Sequence, residues 1–155
     1  MLTTVQASTL KAVALADPVA AGYINAGNDT GLSEWFNEMT THSVWRSVLP
    51  PELARAAIIK GAAQLDALTV GKRDSLFYLI SGNLNVADAA VRASLDDLCG
   101  SQNILKGFVQ AACKRSASRA EKALATGTGS DAAPATLGYE GVISGNDASL
   151  IREAT

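Results

Sequence analysis

Apolar residues return at three- and four-residue steps through most of the first 124 positions, a period that predicts a chain of short helices. Val5, Thr9, Ala12 and Ala16 recur in this way, with Val13 widening the face; Thr3 or Thr4 can cap the helix and Asp17-Pro18 ends it. A looser stretch over 19–24 runs into Asn25-Ala26-Gly27-Asn28-Asp29-Thr30-Gly31, which is turn chemistry throughout and predicts a loop. Ser33 is a suitable N-cap for a short helix carrying Trp35, Phe36 and Met39, with Trp45 close behind. Pro50-Pro51-Glu52 opens the next helix, which runs through Leu53, Ala56, Ala57 and Ile59 to about Ala63.

Thr69 begins a further helix over 70–80, where Leu76, Phe77, Leu79 and Ile80 make a broad apolar face, and Ser81-Gly82-Asn83 stops it. Asn85-Val86-Ala87-Asp88 resembles a capping box and leads into a helix through Val91, Leu95 and Leu98 that ends at Gly100. The pattern then predicts one long helix from Ser101 to Leu124, with Ile104, Leu105, Phe108, Val109 and Ala112 on one side. Trp35, Phe36, Trp45, Phe77 and Phe108 are the expected core anchors.

Residues 125–155 read differently. A Gly/Thr/Ala stretch leads to Thr136–Ser144, whose alternation suits a short strand or hairpin, then a Gly145-Asn146 turn and a last turn of helix over 147–153. The expected architecture is therefore mainly α: a helical bundle, residues 1–124, whose long C-terminal helix is followed by an extended arm, residues 125–155. Such an arm cannot by itself bury enough apolar surface to offset its ordering entropy, so a second chain is expected to supply the missing surface. Leu137, Tyr139, Val142 and Ile143 are its candidate partner contacts.

The composition narrows the functional classes. Hydrophobic residues reach 48% but aromatics only 5%, so the core should be thin and helix-packed. Charged residues at 18% fall below the roughly 25% of ordinary soluble domains, consistent with surface covered by partners. A net charge of −2 argues against a dedicated nucleic-acid binder, which usually carries a basic excess. No apolar run approaches the roughly 18 residues of a membrane span, and a soluble, cytoplasmically folded chain is expected. Cys99 and Cys113 have no CxxC spacing, and His42 is the only histidine, so buried reduced thiols are expected and no metal or cofactor site.

One constellation rises above this background. Lys114, Arg115, Arg119 and Lys122 lie on the outer half of the long helix, where Arg115, Arg119 and Lys122 continue the face of Ile104 and Phe108. A stripe that changes from apolar to cationic suits a helix whose first half packs on the body while the second half projects. It can be a solvated basic face, a contact with a neighbouring copy or a contact with DNA. Catalytic candidates are weaker. His42 has no elbow serine, Asp96-Asp97 point away from one another on a helix, and Gly127-Thr128-Gly129 follows a helix and lacks the later Lys-Ser/Thr of a phosphate loop. No enzyme is expected.

Several phrases together resemble a known family: Ala14-Leu15-Ala16-Asp17-Pro18, Trp45-Arg46, Leu68-Thr69-Val70-Gly71-Lys72, and Cys113-Lys114-Arg115-Ser116-Ala117-Ser118-Arg119-Ala120-Glu121-Lys122. The last leads into Ala125-Thr126-Gly127-Thr128-Gly129, Pro134-Ala135-Thr136-Leu137 and Tyr139-Glu140-Gly141. The chain is similar to small structural proteins of long-tailed bacteriophages encoded among the head and tail genes. That resemblance implies a virion protein of the head-to-tail connector type, assembled in the host cytoplasm as a homo-oligomeric ring, twelve-fold by analogy with the portal. Its implied partners are its own copies, the portal protein, a tail-terminator or tail-tube protein, and DNA passing through the channel. Tail-completion, tail-terminator and capsid-decoration roles share the same signature, and a small DNA-binding regulator is the alternative of a different class.

Overall fold

The computed structural model describes residues 2–155 and is mainly helical, as the periodicity predicts. Among those residues lie helices α1 (Thr4–Leu15), α2 (Pro18–Ala26) and α3 (Asp29–Asn37), strand β1 (Met39–Trp45), and helices α4 (Pro51–Lys60), α5 (Ala62–Leu65), α6 (Val70–Leu79), α7 (Ala89–Cys99) and α8 (Asn103–Ala112). Strand β2 (Lys114–Ser118), α9 (Arg119–Leu124) and α10 (Gly145–Glu153) complete the order. The strands pair antiparallel. Packing divides the chain into two units, one running to Val44 and resuming at Ser116, the other spanning Trp45–Arg115.

The first unit is built from α1, α2, α3, α9 and α10. Thr3 and Gln6 close a capping box on α1, and Asp17 accepts from the amides of Val19 and Ala20 to start α2. Gly27, at φ 63°, ends α2, and Asn28 at once caps α3, so the chain turns within two residues where the composition of 25–31 predicts a longer loop. The core gathers Leu10, Leu32, Trp35, Phe36, Ile143 and Ile151, all buried. Val44, Ala117 and Ala135 form a small separate cluster beside it.

The second unit packs α6 on α7, α7 on α8, and α8 on α4 and α5. Its core includes Ile58, Leu76, Ile80, Leu95, Leu105 and Val109. Gly61 passes so close to α8 that a methyl there would meet the Leu105 side chain at 2.6 Å and its backbone at 2.8 Å. Gln64 Oε1 accepts from the amides of Ile104 and Leu105, capping α8 from α5 because Gln102 offers no side-chain cap. At the other end, Arg46 Nε donates to the carbonyls of Ala112 and Lys114.

Three expectations are corrected. The long helix over 101–124 is interrupted: the chain leaves α8 after Ala112, pairs with β1 through β2, and restarts as α9. The restart has a local cause, since Ser118 and Glu121 form a buried capping box that fixes a helix N-terminus in mid-segment. The division into body and arm at residue 125 gives way to the two units above, because residues 116–155 pack with 2–44. Thr136–Ser144 forms no strand; its neighbourhood makes only single bridges, Val44 with Ala135 and Thr126 with Thr136, before α10 begins. The expected anchors also separate. Trp35 and Phe36 are buried in the first unit, Trp45 and Phe108 are half-buried in the second, and Phe77 is 46% exposed.

Candidate functional site

The four cations singled out in the sequence do not share a helix face. Lys114 and Arg115 lie half-buried on β2, each engaged by neighbouring groups. Arg119 opens α9, where its guanidinium reaches Glu38 at 2.8 Å, donates to the Trp35 carbonyl, and stacks over the Trp35 ring at 4.5 Å. Its own backbone amide donates to the Glu38 carbonyl, so this arginine is fastened at both ends within its unit. Lys122 stands one turn further on, exposed at the rim of an open pocket of about 400 Å³ shared with Val13, Asp17, Trp35 and Thr40. The expected charged half-helix thus resolves into two engaged cations on a strand, one fastened arginine and one solvated lysine.

The C-terminal contact residues are redistributed as well. Ile143 is 1% exposed, and its amide and carbonyl are bonded by Asn37 Oδ1 at 2.8 Å and Asn37 Nδ2 at 2.9 Å. Leu137 packs beside Val44 and Ala117, and Tyr139 packs near the main core with its hydroxyl donating to the Val142 carbonyl. Burial, followed by the neighbouring Asp147 and Glu121 charges, raises the Tyr139 phenol above its usual range. Of the four residues, only Val142 stands well exposed, at 76%. Helix α10 docks through Ala148 and Ile151, with Arg152 forked onto Asp29 of α3 and Lys11 Nζ donating to the Ala154 carbonyl. Within the first unit, Ile143, Ala148 and Ile151 are covered by residues of the same chain.

Exposed apolar side chains occur on both units, and on the second three of them belong to α6. Val70, Asp74, Phe77 and Tyr78 follow one another at helical spacing on the exposed side of α6, with the buried Leu76 and Ile80 on the adjoining side. Val70 is 64% and Tyr78 82% exposed, and Asp74 is exposed beside them. Next to this stripe a shallow groove of about 850 Å³ runs between α6 and α7, with Leu79, Ala93 and Leu98 in its walls and Asp74 and Asp97 at its edges. Between α4 and α8 lies a smaller groove of about 240 Å³, floored by Ala56, Ala57, Ala111 and Ala112. Leu53 and Phe108 flank this second groove, with Lys60 toward its Leu105 end and Arg46 toward its Ala112 end.

The sequence points to an apolar face on this helix but assigns Phe77 to the core. The available signal is that the apolar residues of α6 extend past one side, since Val70 and Tyr78 lie outside the arc of Leu76, Phe77 and Ile80. A helix in a single core needs only one such side.

Charge is divided unequally. Trp45–Arg115 holds nine Lys/Arg against six Asp/Glu, while the remainder of the chain holds four against nine. The net −2 therefore conceals a basic unit and an acidic one.

The remaining chemical groups are enclosed. Cys99 and Cys113 are free and buried; burial pushes both thiols up, Cys113 to about 11 in spite of Arg92 and Arg46 nearby. Arg92 itself lies 4.2 Å over the Trp45 ring and donates to the Val86 and Ala87 carbonyls. His42 sits flat against Gly129, with its Nε2 buried and without a hydrogen-bond partner. Among the described residues no three His, Cys, Asp or Glu side chains converge as metal ligands, and no helix is long and apolar enough to cross a membrane. Comparison with protein-family models, with curated proteins and with solved structures finds no match.

Proposed function

We propose that this chain is a structural protein of a long-tailed bacteriophage particle, acting as a head-to-tail adaptor that forms a homo-oligomeric ring between portal and tail. The observation that carries this reading is the outward stripe of α6. Phe77 and Tyr78, with Val70 a helical repeat away, leave large apolar area facing solvent beside a wide groove, and such patches mark protein–protein contact surfaces. The enclosed thiols and the isolated histidine favour an assembly role over chemistry. The phrases from Cys113 to Gly141 supply the resemblance to phage head and tail proteins that supports this reading.

In this reading attachment passes from the C-terminal segment to the second unit, whose basic excess suits a neighbour of opposite charge. The partners are further copies of the chain, the portal protein and a tail-terminator or tail-tube protein, with DNA crossing the ring; twelve copies would match a portal. An image reconstruction of the intact particle with this chain traced tests the proposal. A closed ring at the head-tail junction is the expected result. Density spread over the capsid lattice, at the far end of the tail, or absent from the particle overturns it.

A further inference from the structure

We infer that the outer stripe of α6 on one copy docks into the α4–α8 groove of a second copy, an inference that rests on the assembly reading above. The two surfaces match in spacing. Asp74, Phe77 and Tyr78 project from α6 at steps of three and four, and Leu53, Ala56, Ala57 and Lys60 line the groove at the same steps. They match in relief, because the stripe presents bulky aromatic side chains where the groove has an alanine floor. The groove, of about 240 Å³, is open to solvent along α4 and α8, so an aromatic ring can approach its alanine floor.

They also match in charge. Asp74 stands exposed on the stripe, and the nearest cations of its own helix are drawn elsewhere, Lys72 to Asp97 and Arg73 to Asp66. Lys60 stands exposed at one end of the groove, next to Gly61 where α4 meets Leu105, and Arg46 lines the other end beside Ala112. Seating Tyr78 on the alanine floor lets Asp74, one turn earlier, meet the exposed Lys60 at its end of the groove.

Within the unit the packing order is α6, α7, α8, α4, so stripe and groove lie toward opposite ends of that order. One copy therefore offers its groove to a neighbour while its stripe enters the next. Such heterologous contacts propagate from copy to copy and close into a ring when the rotation allows.

Two variants of the full chain test the docking. Asp74→Lys with Tyr78→Ala removes the stripe and leaves the groove; Ala56→Glu with Lys60→Glu blocks the groove and leaves the stripe. All four positions are exposed, so both variants should keep the wild-type circular-dichroism spectrum and melting temperature. Should a double variant lose that spectrum, Tyr78→Ala and Lys60→Glu singly repeat the comparison. By light scattering after size-exclusion chromatography, each variant alone is expected to lose assembly at concentrations where the wild type assembles. Their mixture is expected to give a one-to-one complex of twice the monomer mass and nothing larger, because only one intact stripe and one intact groove meet. A mixture that stays monomeric overturns the docking. Variants that assemble as fully as the wild type overturn the docking alone and leave the assembly reading standing; a wild type that stays monomeric at millimolar concentration overturns both.

Discussion

Helices α10 and α6 are of nearly equal length and both carry apolar side chains, yet those side chains end in different circumstances. The first turns Ala148 and Ile151 into the core of its unit, while the second buries Leu76 and Ile80 and leaves Val70, Phe77 and Tyr78 outside. The difference lies in polar fasteners. Asn37 bonds both backbone groups of Ile143, Arg152 forks onto Asp29, and Lys11 reaches the Ala154 carbonyl, so the segment around α10 is tied at three points. The outer face of α6 has no comparable ties among the described residues. Apolar area shows that a surface will be covered, and the hydrogen-bonding groups around it show by what.

The contrast can be broken most forcefully at Ile151. Truncation to Ala leaves a cavity in the first unit and is expected to cost about 2–5 kcal/mol, read as a lowered midpoint in urea denaturation. Next comes Asn37→Ala, which strands the buried amide and carbonyl of Ile143. A loss of about 1–3 kcal/mol is expected in the same measurement.

A smaller effect follows from Asp147, whose carboxylate accepts from the hydroxyl and amide of Ser144 at the start of α10. The Ser144 hydroxyl bond is the main cause holding this acid below its usual range. Because the folded pKa lies below the unfolded one, the stabilisation is present above the unfolded value of about 3.9 and is lost as pH falls through the folded value. Asp147→Asn should therefore flatten the acid limb of the stability–pH profile, with little change in its slope at neutral pH. The smallest effect on stability is expected from Tyr78→Ser, within about 0.5 kcal/mol of wild type in the monomer, because the ring is already in solvent. Its consequence should appear in self-association.

Much of the local structure is legible in the sequence. The capping residues at Thr3 and Thr69, the stop at Gly100, and the proline-led start of α4 all act as their chemistry predicts, whereas the capping box expected over Asn85–Asp88 gives way to Asp88 as the N-cap of α7. Strand β1 has a signal too, since Met39–Trp45 mixes Thr, Val and Trp, but the helical pattern around Trp35 and Phe36 obscures it. Ser118 followed three positions later by Glu121 announces a helix start that hydrophobic periodicity alone passes over. What cannot be read is pairing at a distance. Asn37 with Ile143 lies 106 positions apart and Asp29 with Arg152 lies 123 apart, and nothing in either segment names its partner. Without those pairs, a glycine-rich stretch ending in a short helix reads as an arm reaching for a second molecule.

Whether the C-terminal segment is held by its own chain can be decided by hydrogen exchange on the isolated monomer. If α10 belongs to the first unit, its amides should be protected together with those of α3 and should open with them as denaturant is added. Exchange of residues 145–153 at the rate of an unstructured peptide, with α3 still protected, would be incompatible with a docked α10 and would return the segment to the role of an arm.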